Sequence, residues 1–564
     1  MKILALHCDY IKFKPLKKAL RKPEELSKER EGEIEVKNPL VIMTAVEKAD
    51  ETNPNLIKQY TDEIKDIAKQ VGAKEIVLYP YAHLSSSLSK PDFAQQTLEK
   101  AEKELKEFKI SRAPFGYYKE FELKCKGHPL SELSREITST ETKNTTEDTK
   151  IDTKQLLREV SKSKLDTREL KENDHRIIGK QMDLFSFSET APGMVFWHNN
   201  GLIIRNKLIE FWRQEHQKAG YEEISTPQIL DKKLWLISGH WDKYKDNIFL
   251  SEYEKREFAV KPMNCPGGML VYKNSPKSYK DLPLRVGELG VVHRQELSGV
   301  LAGLFRVIQF TQDDAHIFCT EKQVESEIVK IIEMIDKFYS IFGFKYEVEL
   351  STRPEKRIGE DKVWDKAEKA LENVLKKKKI KYQLNKGDGA FYGPKIDFHI
   401  KDSLKRSWQM ATIQLDFAMP ERFELEYTDE KNKKQRPIML HRVIYGAIER
   451  FIGILLEHYK GHLPTWLAPV QARVINFTDK NNASCEALVE ELKEKGIRAD
   501  IDLNQEPIGG KIKQAEVEKV PFIIVIGNKE EESGNVAVRR QGKVQQIKRE
   551  DFIDQIVKEV EEKL

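Results

Sequence analysis

The sequence predicts a multidomain protein of mixed α/β and α+β type, with two small layered domains flanking a large one built on a mixed or antiparallel sheet. Three observations carry this. Strand and helix signals alternate over residues 1–136. Scattered β-rich segments with long insertions fill 175–464, and compact alternation returns over the last hundred residues. At roughly 100–200 residues per domain, the 564-residue chain has room for several such units.

In the first region, the apolar runs Ile3–Leu6, Leu40–Val46 and Ile76–Tyr81 read as buried strands. Between them Leu56, Ile57, Tyr60, Ile64, Ile67 and Ala68 recur at helical spacing, and Gly72 ends the helix. The composition then shifts. Thr138 to Lys154 holds no aromatic residue and one aliphatic, Ile151, too little apolar surface to offset the entropy of ordering. This predicts a linker, with a short helix over 155–173.

In the middle region, Arg306–Phe310, Lys345–Leu350 and Lys395–Ile400 are expected strands, and Val443 to Leu455 traces the apolar face of a buried helix. The last region predicts strands at 473–477, 498–501 and 522–526. Helices lie over 484–495 and 511–519, and a hairpin and a terminal helix over 551–563 follow.

Composition excludes several classes. The 96 Lys and Arg nearly cancel the 92 Asp and Glu, so a nucleic-acid surface has to be a local patch. Five cysteines without a CxxC pair are too sparse for a disulfide framework or a local zinc knuckle. No apolar stretch approaches the ~18 residues of a membrane span, and the N-terminus lacks a cleavable leader. A soluble cytoplasmic protein in a reducing environment is expected.

Chemistry-bearing residues concentrate in three places. Arg294 and Arg306 flank a glycine-containing loop between two strands, a suitable clamp for phosphate because guanidinium donates paired hydrogen bonds. Arg450 falls beside the apolar face of its helix and needs an anionic partner, either a carboxylate or a bound phosphate. Cys265, His316 and His441 are suitable zinc ligands, yet their separations match no local motif, and each histidine alone reads as a hydrogen-bonded core or surface residue.

The blocks DHRIIGKQMDLFSFSETAPGMVFWHNNG (174–201), STPQILDKKLWLISGHWDKYKDNIF (225–249), MNCPGG (263–268), TQDDAHIFC (311–319), AFYGPKIDFHIKD (390–402), WQMATIQLDF (408–417) and the segment 441–471 resemble threonyl-tRNA synthetases. YAHLSSSLSKP (81–91) and APFGYYKEFELKCKGHPLSE (113–132) resemble the archaeal-type editing domain of that family, a fold akin to D-aminoacyl-tRNA deacylases. The resemblance implies an editing domain at 1–136, a linker at 137–173, a class II antiparallel-sheet catalytic domain at 174–464 and an α/β anticodon-binding domain at 465–564. It implies ligation of L-threonine to tRNA(Thr) through threonyl-adenylate, with Mg²⁺ accompanying ATP, by a homodimer with Pro227 at its interface.

Residue by residue, it makes Arg294 the α-phosphate contact, Arg450 the γ-phosphate contact and Lys395 a further contact to the reacting centre. Cys265, His316 and His441 would hold one Zn²⁺, with Met263, Gln312, Asp314, Tyr392, Gln409 and Gln414 around threonine and nucleotide. His83, Tyr118, Lys119 and Glu132 would hydrolyse seryl-tRNA(Thr). Thr44, Ala45, Val46, Glu47, Ala82, Ala113, Pro114 and Phe115 would line that pocket. Glu530 and Arg539 would contact the anticodon, while Gln505 stands where bacterial members have Asn. The stretch 539–549, with five basic residues and no acid, is a plausible RNA footprint. The basic run 11–23 reads equally as a tRNA contact or a solvated face.

Overall fold

The structure, a computed structural model, describes residues 1–20, 23–85, 87–128, 130–137, 170–402 and 405–563. The linker and helix expected over 137–173 fall almost wholly outside them. The chain forms two compact units, 1–151 and 152–564. Among the described residues no helix is long and apolar enough to cross a membrane.

The first unit is built on one long strand, β1 (Lys2–Lys18). Around it lie β2 (Ile34–Lys37), β3 (Pro39–Ala45), β4 (Glu75–Pro80), β5 (Lys109–Arg112), β6 (Tyr117–Cys125) and β7 (Glu132–Glu136). The sheet runs β2-β1-β3-β4-β5, with β6 and β7 also pairing β1. Strands β3, β4 and β5 are parallel, connected through α1 (Leu56–Val71) and α2 (Pro91–Glu104). Leu40 and Ile42 pack under the helices while Val41 and Met43 fill a second core on the other face. Burial on both faces is why this strand reads as an unbroken apolar run. Gly72 ends α1 in the left-handed conformation at φ 69°.

The expected first strand, 3–6, proves far too short. Beyond it Ile11, Phe13 and Pro15 are buried while Lys14 and Leu16 are exposed, so the basic run is itself half-buried strand. Its lysines are partly answered by acids: Lys14 stands opposite Glu120, and Lys12 lies 3.8 Å from Glu35.

The core of the second unit is an eight-stranded sheet. Its main strands are β8 (Leu284–His293), β9 (Gln309–Cys319), β10 (Tyr346–Ser351), β11 (Lys395–Lys401), β12 (Ser407–Asp416) and β13 (Ile438–Val443). Their spatial order is β8-β9-β13-β12-β11-β10, all antiparallel, with short parallel strands at both edges. One face presents Ile317, Ile396, Phe398, Ile413, Leu415 and Leu440 to a large core shared with α3 (Asn199–Lys218) and α5 (Ile448–His458). Strand β9 begins at Gln309 rather than Arg306. Gly303 at φ 53° and the Phe305 N–H donating to Ala302 turn that stretch into a loop.

The C-terminal sheet has three parallel strands, 472–476, 499–502 and 522–526, followed by an antiparallel hairpin, 535–540 and 543–548. Helices 482–494 and 549–561 cover one face, and helix 508–517 covers part of the other. This matches the expected alternation.

Candidate functional site

The face of the large sheet away from the core carries a polar stretch beside the apolar cluster of Phe318 and Met439, and strand register explains why. Directly paired positions run His316 to His441, His441 to Gln414, and Gln414 to Lys395. Paired residues of antiparallel strands project to the same side, so these four form one rung across the sheet. Alternate residues along each strand share that side, which adds Gln312, Asp314, Thr412, Asp416 and Asp397.

Cys265 opens α4 (Cys265–Lys273), which brings its thiol to the His316 end of the rung. The ligand atoms of Cys265, His316 and His441 lie within 4.8 Å of one another, close enough to share one ion. The two imidazoles stand edge to face at 5.0 Å. His441 Nε2 donates to the buried Asp416 carboxylate at 2.7 Å, which leaves Nδ1 as the nitrogen that could ligate a metal. His316 Nε2 is buried with no hydrogen-bond partner, and burial drives its basicity well down. One thiol and two imidazoles, one with an orphaned nitrogen, fit Zn²⁺. Around them Met263 and Tyr392 pack in the same cluster as Cys265, with the Tyr392 ring 5.6 Å from that of His441. Asp314 accepts from Asn264 at 3.3 Å.

Beside the rung is a cavity of about 250 Å³ lined by Arg294, Arg306, Arg450, Gln312 and Gln409, with Glu296 its carboxylate. Arg294 follows β8, donates Nε to the Pro262 carbonyl at 3.1 Å and lies over Phe310. Arg306 is paired with Glu296 at 2.9 Å. Arg450 has no ion-pair partner among the described residues: its Nε donates to the Phe305 carbonyl at 2.9 Å, and its guanidinium lies over Trp408. Burial, then Arg306 and Arg294, push its pKa down. Of the two partners the sequence leaves open for Arg450, no carboxylate forms an ion pair with it among the described residues, and the three guanidinia give the cavity a cationic lining.

Several positioning groups escaped the sequence reading. Asp397 accepts from Lys395 Nζ at 2.6 Å, Gln409 Nε2 at 2.6 Å and Thr412 Oγ1 at 2.9 Å. Asp416 orients His441. Asp313, pushed up to about 7 by burial, accepts the amides of Ile444, Tyr445 and Gly446 and so holds the turn leading into α5. The available signal was polar residues at every second position of KIDFHIK (395–401) and TIQLD (412–416).

The first unit has a cavity of about 460 Å³ lined by Thr44, Ala45, Val46, Ala82, His83, Phe115, Tyr118 and Lys119. Thr44 is held by Tyr60, hydroxyl to hydroxyl at 2.6 Å. Lys119 Nζ donates to the carbonyls of Pro114 and Tyr117 at 3.0 and 3.2 Å and lies over Tyr79. Burial pushes its pKa down to about 8, against the pull of Glu24. Glu47 stays outside the lining, accepting from Ser85. Glu132 also does not line the cavity. It is exposed and pairs with Leu6, whereas Lys119 pairs with Pro15 towards the other end of β1.

In the C-terminal domain Glu530 accepts from the Gly527 amide at 3.0 Å and Gln546 at 2.8 Å, while Arg539 lies 3.7 Å from Glu516. Arg540 and Arg549 pair with Glu559 and Glu491. Of the five basic residues in 539–549, only Lys543 and Lys548 make no ion pair among the described residues.

Residues 1–137 match the family model for the archaea-specific editing domain of threonyl-tRNA synthetase. Residues 248–459 match the class II tRNA synthetase core domain (G, H, P, S and T), and 471–559 an anticodon binding domain. A crystal structure titled as the RNA binding domain of threonyl-tRNA synthetase from Cryptosporidium parvum is 39% identical. It has a TM-score of 0.66, with 68% of this chain and 98% of that one covered. The chain belongs to the threonyl-tRNA synthetase family.

A putative threonyl-tRNA synthetase from Aeropyrum pernix is 28% identical at a TM-score of 0.62, covering 69% of this chain and 97% of that one. Threonine–tRNA ligases of Caldanaerobacter subterraneus and Acetivibrio thermocellus are 55% and 54% identical over 70% of this chain. The matches span 61% and 62% of those ligases' own length. The three-domain architecture of a synthetase with an editing domain is therefore present: editing domain, class II core on an antiparallel sheet, and anticodon-binding domain.

Proposed function

We propose that this chain is a threonine–tRNA ligase that activates L-threonine with ATP, transfers it to tRNA(Thr) and hydrolyses seryl-tRNA(Thr) in its N-terminal domain. The observation that carries the reading is the juxtaposition, on one sheet face, of the Cys265–His316–His441 cluster with the arginine cavity. An amino acid held at the first presents its carboxylate to a triphosphate held at the second.

Cys265, His316 and His441 would hold Zn²⁺, which when bound would supply a Lewis-acid contact for the amino group and hydroxyl of threonine that valine cannot make. Asp314, Tyr392 and Met263 shape the side-chain pocket, and Gln312, Gln409 and Gln414 lie towards the nucleotide. Arg294 binds the α-phosphate of ATP, taken as its Mg²⁺ complex, where negative charge grows as the carboxylate attacks. Arg450 holds the γ-phosphate, and Lys395, oriented by Asp397, adds a further donor at the reacting centre. Pyrophosphate leaves, and the terminal ribose hydroxyl of tRNA(Thr) then displaces AMP.

Serine keeps the hydroxyl and lacks one methyl, worth roughly 1–3 kcal/mol, so a second hydrolytic site is required. His83, Tyr118 and Lys119 at the cavity of residues 1–136 serve it, with Thr44, Ala45, Val46, Ala82 and Phe115 around the seryl group. Residues 465–564 bind the anticodon, with Glu530 and Arg539 as contacts. The protein acts as a cytoplasmic homodimer through the segment around Pro227, where Ile229, Leu236 and Ile237 are exposed apolar residues. Threonine-dependent ATP–pyrophosphate exchange by the purified, zinc-loaded chain is the test. Absence of exchange rules the ligase reading out.

A further inference from the structure

The block DHRIIGK (174–180) has no role in the account above, yet its His175 is buried at 1% exposure with both ring nitrogens engaged. Nδ1 lies 2.9 Å from Glu457 Oε1, and Nε2 accepts the Leu304 amide at 3.0 Å. Because Nε2 accepts an N–H, the ring proton sits on Nδ1 and is donated to Glu457, so the imidazole is neutral and held in one tautomer. Asp174, His175 and Glu457 are close enough to share a cation. These bonds already occupy the imidazole, however, and Arg176 and Arg406 pair with the carboxylates of Asp174 and Glu457. The cluster is a hydrogen-bonded relay.

Its far end is Arg450. The His175 ring packs on Phe305 at 4.3 Å, and the Phe305 carbonyl accepts Arg450 Nε at 2.9 Å. Phe305 in turn packs on Trp408 at 4.7 Å, the ring beneath the Arg450 guanidinium. The backbone reaches the imidazole only because residue 303 is glycine: a Cβ there would sit 2.3 Å from His175 Nε2.

We infer that His175, braced by Glu457, is a positioning residue for Arg450. It fixes the Leu304–Phe305 backbone so that the Phe305 carbonyl aims the guanidinium into the anion cavity. The inference rests on the ligase reading, which makes that anion the γ-phosphate of ATP.

The experiment is calorimetric titration of MgATP into the full chain and its variants. His175→Phe keeps the ring packing but neither hydrogen bond. Its MgATP Kd should rise about tenfold, the scale of one lost hydrogen bond, with threonine affinity unchanged. His175→Gln, which restores an acceptor for Leu304, should recover most of that loss. In an Arg450→Ala background His175→Phe should change Kd by less than roughly twofold, because the group it positions is gone. An unchanged Kd for His175→Phe, or a full tenfold effect persisting without Arg450, overturns the relay. If His175→Phe does not fold, Glu457→Gln is read by the same criteria. A wild-type chain that binds no MgATP would sink the ligase reading and the relay together, whereas normal wild-type binding with indifferent variants sinks the relay alone.

Discussion

The cavity of the first unit and the arginine cavity of the large sheet treat charge in opposite ways. The first sets one ammonium, Lys119, among aliphatic and aromatic walls, tied to two carbonyls and lying over Tyr79, and burial brings it within reach of neutral pH. The second sets three guanidinia and a single carboxylate around one cavity, and burial, then the like charges, push the pKa of Arg450 down. A site of the first kind sorts by shape and is sensitive to pH. One of the second kind would bind by charge.

Substitutions in each site sharpen the contrast. Cys265→Ala should give the largest effect: metal analysis should find the ion gone, and threonine activation should go with it. Arg294→Ala should lower exchange by about 10²–10³-fold, the usual loss of one preorganised donor to developing charge, while leaving seryl-tRNA hydrolysis intact. Lys119→Met should do the reverse, slowing deacylation on the order of 10²-fold with exchange unchanged. Coupled loss in both assays for either variant would break the separation of the sites. Asp416→Asn, which removes the carboxylate orienting His441, should weaken zinc by about 10–100-fold in a chelator competition.

The smallest effect is on pH. With a pKa of about 8, Lys119 is mostly an ammonium below that value and mostly neutral above it. Its carbonyl partners and the Tyr79 face favour the charged donor, so deacylation should fall as pH rises through about 8. A rate that climbs over the same range would make the neutral amine a base instead.

Much of this was legible in the sequence because it is local. Apolar runs marked β3 and β4, and the 3.6-residue period with Gly72 marked α1. The candidate metal cluster was visible only through resemblance, since His316 and His441 meet through strand pairing between segments more than a hundred residues apart and Cys265 arrives on a separate helix. Pairing register is not written in any one segment. For the same reason Asp416 and Asp397 went unnoticed: each reads as one more polar residue until the neighbouring strand supplies its partner. The full length of β1 was hidden because its second half alternates lysines with buried residues, and a run of basic residues resembles a solvated surface. Glu132 illustrates the converse. Its block matched, but β7 pairs with a part of β1 remote from Lys119.

The central claim is that an amino acid is chosen by its hydroxyl at the Cys265–His316–His441 cluster. The direct measurement is pyrophosphate exchange with threonine, serine and valine on one zinc-loaded preparation of the whole chain. The account predicts strong exchange with threonine, exchange lower by roughly 10–200-fold with serine, and none with valine. Valine supporting exchange comparable to serine would contradict it.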